Sequence, residues 1–239
     1  MPRQLTFDLP PPHPAAARDD FIVAPSNAQA VAMLDRPGDW PGGRLVLTGA
    51  AGSGKSHLAG IVATEWGASP CTGADLGRAD VPALAEPGIA VIEDAEAVAG
   101  DPAAEAAMFH LMNLIQAEGG RLLLTAARPP ARWPVALPDL RSRLMAMAEA
   151  RITPPEDALL AQLLVKLFAD RQLRVAPQVV AWLVARMERA PALARDLVAA
   201  LDARALERGA PISRALAAEV LADLTAARPD PAPELPLGS

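Results

Sequence analysis

Residues 49–56 read Gly49-Ala50-Ala51-Gly52-Ser53-Gly54-Lys55-Ser56, a complete Gly-x-x-x-x-Gly-Lys-Ser pattern. An apolar run at 44–48 precedes it and a helical pattern follows it, which is the strand-loop-helix context of a phosphate-binding loop. The bare pattern is expected by chance in roughly one chain per hundred of this size. An ordinary Gly-rich turn would leave the Lys-Ser pair unexplained, so the motif predicts nucleotide binding.

The chemistry of a nucleotide explains the residue types. Gly49, Gly52 and Gly54 let backbone N–H groups approach phosphate oxygens more closely than a Cβ would allow. Lys55 is placed to reach the β and γ phosphates, and Ser56 to offer its hydroxyl to Mg²⁺. The dipole of the helix that begins near Lys55 adds to the site. We therefore assign ADP or ATP to the loop Gly49, Ala50, Ala51, Gly52, Ser53, Gly54, Lys55, Ser56 and His57.

Composition narrows the class of protein. The chain has 239 residues, enough for one or two domains, and its net charge of −6 disfavours direct sequence-specific DNA binding. A single cysteine and the lack of a signal pattern favour the cytoplasm. No apolar run reaches the length of a membrane span, so we expect no membrane association. The three histidines are too scattered for a zinc site.

The order of apolar and helical patterns predicts an α/β fold. Strand-like runs at 44–48, 89–92 and 122–125 alternate with helical segments, one of them starting after Asp101-Pro102. This alternation predicts a parallel sheet covered by helices on both faces. We expect Ser26 or Asn27 to cap an earlier helix that runs to about residue 35.

The chain divides into four segments by pattern. We expect a flexible arm at 1–20, the nucleotide-binding αβα domain at 21–152, an all-helical domain at 153–226 and a disordered Pro-rich tail at 227–239. Within the helical domain, Pro177, Pro191 and Ser213 mark predicted helix starts.

Paired carboxylates follow the second strand-like run. Glu93 and Asp94 come about forty residues after the loop, where a Walker B element belongs. We interpret Glu93 as a Mg²⁺ ligand and Asp94 as the catalytic carboxylate that polarises water. A surface acidic turn is the alternative.

Two arginines stand out later in the chain. Arg143, in Arg141-Ser142-Arg143, is interpreted as an arginine finger that acts on a neighbouring nucleotide, with a solvated basic turn as the alternative. Arg195 is interpreted as reaching the nucleotide from the helical domain, with pairing to Asp196 or to solvent as the alternative.

The arm carries an apolar cluster between prolines. Gln4, Leu5, Phe7 and Leu9 fit a docking peptide in which Leu5 and Phe7 are pocket anchors. The residues alone leave open whether Phe7 instead packs back onto the domain.

Taken together, these motifs resemble the AAA+ family, and within it the branch of the replication initiator DnaA and the shorter Hda-type regulators. The resemblance covers about residues 21–205. Four segments carry it: an entry segment at 21–27 on the adenine side, which includes Val23; a sensor 1 segment at 124–130; the arginine-finger box ending at Arg143; and the sensor 2 segment containing Arg195.

The resemblance implies a function. The chain lacks a helix-turn-helix domain after the helical segment, which favours the Hda-type regulators. In that case Gln4, Leu5, Phe7 and Leu9 bind the DNA polymerase III β sliding clamp. The nucleotide-bound protein then stimulates ATP hydrolysis by DnaA through Arg143 in trans, which is negative regulation of replication initiation. A homodimer is left open.

Two positions depart from the family pattern. Glu93 stands where an Asp is usual, and Ala127 stands at the usually polar position of sensor 1. Both changes predict weak hydrolysis by the chain itself. The main alternative is an autonomous AAA+ ATPase, a loader or remodeller working as a homo-oligomer; a DNA-binding adaptor fits least.

Overall fold

A computed structural model describes residues 21–86 and 88–227 of the chain. Their contacts form two compact units that divide between Pro154 and Pro155. The predicted docking residues Gln4, Leu5, Phe7 and Leu9, and the tail from 228 onward, lie outside the described residues. Ala227, which the sequence assigned to the tail, instead ends the last helix.

The first unit is built on a five-stranded sheet in which every pair of neighbouring strands is parallel. The strands lie in the order β2-β3-β4-β1-β5. Their bounds are β1 Arg44–Thr48, β2 Cys71–Thr72, β3 Ile89–Glu93, β4 Arg121–Ala126 and β5 Ala148–Arg151.

Helices cover both faces of this sheet, as the alternation predicted. Successive strand residues point to opposite faces, so Val46, Leu122 and Leu124 share one core with α3, α4 and α5. Leu45 and Leu123 belong to the other core, with α1 and α2. The bounds are α1 Ala28–Leu34, α2 Lys55–Trp66, α3 Val81–Ala85, α4 Pro102–Ala117 and α5 Pro138–Met145.

The sequence missed two strands, both at the edges of the sheet. β2 has only two residues. β5 reads Ala-Glu-Ala-Arg, with Glu149 and Arg151 exposed, so it has no apolar run. Strands buried on both faces give continuous apolar runs, whereas short or half-exposed edge strands do not.

The helix predicted after Asp101 is present as α4, whereas the cap predicted for α1 is wrong. The Asp101 carboxylate accepts the N–H groups of Ala103 and Ala104 at the start of α4. Asn27 precedes α1 but makes no capping bond. Its side chain instead fixes the preceding loop, accepting the Ala24 N–H and donating to the Ile22 carbonyl.

The second unit contains four helices with one shared core, and no strand occurs in residues 155–227. The predicted helix starts at Pro177 and Pro191 are correct, and Ser213 caps the last helix by accepting the Leu216 N–H. The helices are α6 Asp157–Asp170, α7 Pro177–Val184, α8 Pro191–Arg208 and α9 Arg214–Ala227. Across the described residues of both units, no helix has the length and apolar character needed to cross a bilayer.

Candidate functional site

The loop between β1 and α2, which with the first turn of α2 forms the cradle at residues 49–57, has a backbone that requires glycine. Gly52 and Gly54 have φ values of 73° and 107°, in the region that side chains disfavour. At Gly49 a Cβ would lie 2.8 Å from the Ser53 Oγ and 2.9 Å from the Ile152 carbonyl oxygen. Gly49 therefore lets the loop pack closely against residue 152, and the backbone conformation at Gly52 and Gly54 is compatible with a loop whose N–H groups bind phosphate.

Lys55 lies at the centre of this cradle and is only 7% exposed. Its Nζ donates to the carbonyls of Gly49 and Ala50, at 2.8 and 2.9 Å. Burial lowers the pKa of Lys55, while the charges of Asp94 and Glu96 act to raise it. The lysine is thus a buried cation beside two carboxylates.

Two serines of the loop differ in their surroundings. The Ser53 Oγ is buried and has no hydrogen-bond partner among the described residues, as expected of a hydroxyl whose partner is a ligand. Ser56 is exposed in the first turn of α2. Both positions are compatible with a bound nucleotide.

The entry segment at 21–27 lies beside the start of α2. The ring of Phe21 packs edge-on against that of His57, with centroids 5.6 Å apart. Val23 is 57% exposed. The Ser26 carbonyl accepts the N–H and the hydroxyl of Thr153, which anchors this segment next to the end of β5.

Of the predicted carboxylates, Glu93 is the last residue of β3 and Asp94 follows it. Strand β4 lies between β3 and β1, the strand that leads into the loop at 49–57. Asp94 adopts a left-handed backbone conformation, with φ 47°, which Asp tolerates better than most residues. Its N–H donates to the Thr125 Oγ1 at 3.1 Å, and Thr125 is fully buried. The Glu93 carbonyl accepts the Gly73 N–H at 2.7 Å.

The peptide between Ala126 and Ala127 joins the cradle to a third carboxylate. Its carbonyl accepts the Gly49 N–H at 3.2 Å, and its N–H donates to the Glu96 Oε1 at 2.6 Å. Sequence reasoning missed both Glu96 and Thr125. The available signals were weak: an acidic residue two positions after Asp94, and a hydroxyl at the end of an apolar strand.

The metal prediction has limited support from the chain itself. Among the described residues, no group of three or more His, Cys, Asp or Glu side chains could hold a metal ion. Ser56 and Glu93 offer the oxygen ligands that Mg²⁺ prefers, but phosphate oxygens would have to supply much of the shell.

Arg143 lies in α5 and is half-buried. Its Nη1 donates to the Gln116 Oε1 at 3.2 Å, and its Cζ lies 4.9 Å from the centroid of the Phe109 ring. Arg141 is held differently, because its Nε and Nη2 both donate to the Val135 carbonyl. The stacked guanidinium of Arg143 keeps most of its donors, whereas Arg141 is tied to the loop before α5.

A buried carboxylate fixes that loop. Glu105 of α4 is 2% exposed and accepts the N–H groups of Gly100, Ala136 and Leu137. Burial opposes its ionisation, but these bonds and the charge of Arg141 outweigh it and hold the pKa of Glu105 below its ordinary value of 4.5. Glu105 therefore anchors the start of α5, the helix that carries Arg143.

Arg195 lies in α8 of the second unit and is half-buried. Burial lowers its pKa, and the neighbouring Asp196 acts to raise it. Its contact with a nucleotide stays a prediction.

Comparison with curated proteins finds replication initiators that are similar to this chain. The chain is 30% identical to the chromosomal replication initiator protein DnaA of Sphingopyxis alaskensis over 259 aligned positions, covering 95% of this chain and 54% of the relative. It is 27% identical to DnaA of Thermomicrobium roseum, covering 98% and 56%. The chain thus spans about half the length of these relatives. No protein-family model matches it.

Solved structures share the fold. Domain III of Thermotoga maritima DnaA matches with a TM-score of 0.73 at 18% identity, covering 88% of this chain and 97% of that one. AMPPCP-bound DnaA from Aquifex aeolicus matches with a TM-score of 0.68 at 15% identity, covering 81% and 67%. A single-residue variant of Thermotoga maritima RuvB matches with a TM-score of 0.64 at 16% identity, covering 87% and 72%.

Proposed function

We propose that this chain is a DnaA-like AAA+ protein that binds ADP or ATP and acts as a negative regulator of replication initiation. The nucleotide occupies the cradle Gly49 to His57, with Val23 on the adenine side. Mg²⁺ is held by Ser56, Glu93 and the phosphates. Arg195 is a further proposed nucleotide-binding residue.

The cradle supports nucleotide binding in this chain. A Cβ at Gly49 would collide with the loop, Lys55 is a buried cation, and the buried Ser53 hydroxyl lacks a protein partner among the described residues. A DnaA of similar fold was solved with AMPPCP.

Hydrolysis of that nucleotide is expected to be slow. Ala127 provides no polar side chain to orient water, and its N–H is already bonded to Glu96. Asp94 is the carboxylate that we propose as catalytic.

The observation that carries the regulatory proposal is how few contacts occupy the guanidinium group of Arg143. Its guanidinium stacks on Phe109 and makes one hydrogen bond, so most of its donors are available to an anion. An arginine presented in this way can stabilise transition-state charge on a partner's γ-phosphate. The partner we propose is DnaA, whose ATP is then hydrolysed in response to this chain.

Reconstitution tests the regulatory proposal. DnaA, ATP, the sliding clamp and this chain are combined, and phosphate release is measured. Arg143→Ala should lower the stimulated rate by about 10³-fold or more, as expected for a finger acting in trans, while nucleotide binding by this chain is retained. Arg132→Ala, an exposed arginine of the preceding turn, is the matched control. Unchanged stimulation by Arg143→Ala would refute the finger assignment.

Docking on the DNA polymerase III β sliding clamp is a separate part of the proposal. It rests on Gln4, Leu5, Phe7 and Leu9, which lie outside the described residues. Replacing Gln4, Leu5 and Phe7 by Ala should abolish binding to immobilised clamp without changing the melting temperature. Retained clamp affinity would refute the motif.

An autonomous ATPase, working as a homodimer or larger homo-oligomer, has two observations in its favour. Thr125 sets the backbone of Asp94, and the Asp94 charge acts on Lys55. A turnover of about 10 s⁻¹ without DnaA would support this candidate over the regulator.

The acidic balance of the chain favours protein partners over sequence-specific DNA. We place the protein in the cytoplasm.

A further inference from the structure

Arg44 is the first residue of β1, at the end of the strand away from the cradle. Side chains alternate along a strand, so Arg44 points to the same face of the sheet as Val46. Val46 belongs to the core that this face shares with α4 and α5. Arg44 therefore lies on the side of the sheet that carries Arg143.

The end of α4 adjoins both arginines. Gln116, in the last turn of α4, accepts a hydrogen bond from the Arg143 Nη1. The Gly120 carbonyl oxygen, four residues later, lies against the residue before Arg44, because a Cβ at Gly43 would be 2.3 Å from it. Arg44 and Arg143 thus approach the same corner of the first unit.

The guanidinium group of Arg44 has donors that the fold leaves unused. Its Nε and Nη1 are buried, and neither has a hydrogen-bond partner among the described residues. Burial, and then the positive charge of the neighbouring Arg143, lower the pKa of Arg44. In the part of the chain that the structure describes, no ion pair joins either arginine to a carboxylate. Neighbouring cations with buried, unpaired donors are costly, and an anion would relieve that cost.

The carboxyl end of α4 gives one structural reason for positive charge here, because its carbonyl groups carry the negative end of the helix dipole. That attraction explains a cation but not donors without acceptors, since the Arg44 Nε and Nη1 make no hydrogen bond to those carbonyls. The arrangement fits an oxyanion that bridges two guanidinium groups, as a phosphate can.

We propose that Arg44 is a second arginine of the partner-facing site and joins Arg143 in binding the phosphate oxygens of the ATP held by DnaA. The role rests on the proposed action of Arg143 in trans and adds a second binding residue to it. Two guanidinium groups neutralise more of the charge on a transferred phosphoryl group than one does. Arg44 should therefore affect the rate of hydrolysis more than the association of the two proteins.

Phosphate release by DnaA, measured at increasing concentrations of this chain, tests the inference. Arg44→Met keeps an unbranched side chain without the donors. It should lower the maximal stimulated rate by about tenfold or more, as expected for the loss of one charged hydrogen bond. An unchanged maximal rate would overturn the role of Arg44. A change confined to the concentration that gives half-maximal stimulation would indicate a docking contact and would also overturn it.

A second substitution tests the charge. Arg44→Lys keeps the positive charge without the planar fork and should recover part of the lost rate. A lysine variant no faster than Arg44→Met would contradict a role for the charge of Arg44.

The melting temperature separates this role from a structural one. Because the buried donors of Arg44 have no partner in the free chain, Arg44→Met should leave the melting temperature unchanged or raise it. A clear fall would show that Arg44 stabilises the fold and would overturn its assignment to the partner. Arg121→Met is the matched control, since Arg121 begins β4 at the same end of the sheet but stacks on Trp66 on the other face. It should leave the maximal rate unchanged.

The wild type and Arg143→Ala separate failure of this role from failure of the proposed function. A wild type that does not stimulate DnaA would overturn both. Stimulation that Arg143→Ala abolishes and Arg44→Met preserves would overturn only the role of Arg44.

Discussion

At the residue scale, the Thr125 hydroxyl supports the backbone of Asp94, the proposed catalytic carboxylate, from a neighbouring strand. It accepts the Asp94 N–H from a fully buried position. Thr125→Val has nearly the same shape but removes the acceptor, so we expect a loss of about 1 to 3 kcal/mol in the free energy of unfolding, measured by urea denaturation. Thr64→Val, which loses an exposed bond within α2, is the control and should change stability by less than about 0.5 kcal/mol. Equal effects at both sites would contradict this role of Thr125.

Glu105 makes stability depend on pH. Its folded-state pKa lies below 4.5, so the ionised carboxylate contributes stability that is complete above pH 4.5 and is lost as the pH falls through the folded-state value. Glu105→Gln should cost about 2 to 4 kcal/mol at neutral pH, because three N–H groups lose a charged acceptor.

The measurement is urea unfolding of wild type and Glu105→Gln at several pH values. The difference in free energy of unfolding between the two proteins should become smaller as the pH falls below 4.5. Glu118→Gln, at an exposed position, provides the control. A difference in free energy of unfolding that stays constant with pH would mean that the carboxylate charge does not stabilise the loop before α5.

These residue contacts mark the limit of what the sequence predicted about the site. The glycines, Lys55 and Ser56 were identifiable because they lie within eight consecutive positions. The bonds from Asp94 to Thr125 and from Ala127 to Glu96 each join residues 31 positions apart. Only the pairing of β3 with β4 brings them together, and no local pattern encodes it.

At the scale of elements, Gly73 determines how closely the turn after β2 approaches the end of β3. A Cβ there would lie 2.5 Å from the Asp94 carbonyl oxygen. We expect Gly73→Ala to displace the Glu93-Asp94 segment, to cost about 1 to 3 kcal/mol of stability, and to weaken nucleotide binding in calorimetry.

Gly60 in the middle of α2 provides the contrasting substitution. Nothing lies within 4 Å of a Cβ built there. Gly60→Ala should therefore stabilise the chain by about 0.5 to 1 kcal/mol, through the higher helix propensity of Ala. Equal melting temperatures for the two variants would contradict the assignment of Gly73 to a close backbone approach.

The elements also show why part of the fold was predictable. β1, β3 and β4 are the central strands and carry apolar runs that need no neighbour to be recognised. The helix starts at Pro102, Pro177 and Pro191 follow from proline chemistry. The edge strand β5 could not be predicted, because only its pairing with β1 defines it.

At the scale of the whole molecule, the two units have separate cores and separate optical reporters. Trp40, Trp66 and Trp133 belong to the first unit and Trp182 to the second. In a Trp182→Phe variant, fluorescence therefore reports on the first unit. ADP at about 100 times its dissociation constant should stabilise that unit by about 2.7 kcal/mol.

Urea unfolding of Trp182→Phe, with and without ADP, measures this effect. Adding Lys55→Ala to the same variant should remove the ADP-dependent shift, because the cradle loses its cation. A shift that survives Lys55→Ala would place the nucleotide elsewhere.

The edges of the sheet limit how copies of this chain can associate. β2 offers only two residues, and β5 presents Glu149 and Arg151 to solvent, with Glu149 also bonded to the Thr48 hydroxyl. Short edges and alternating charges discourage an incoming strand from extending a sheet. Any self-association through the first unit should therefore use side-chain surfaces, and the native fold should resist the edge-to-edge strand addition that leads to fibrils.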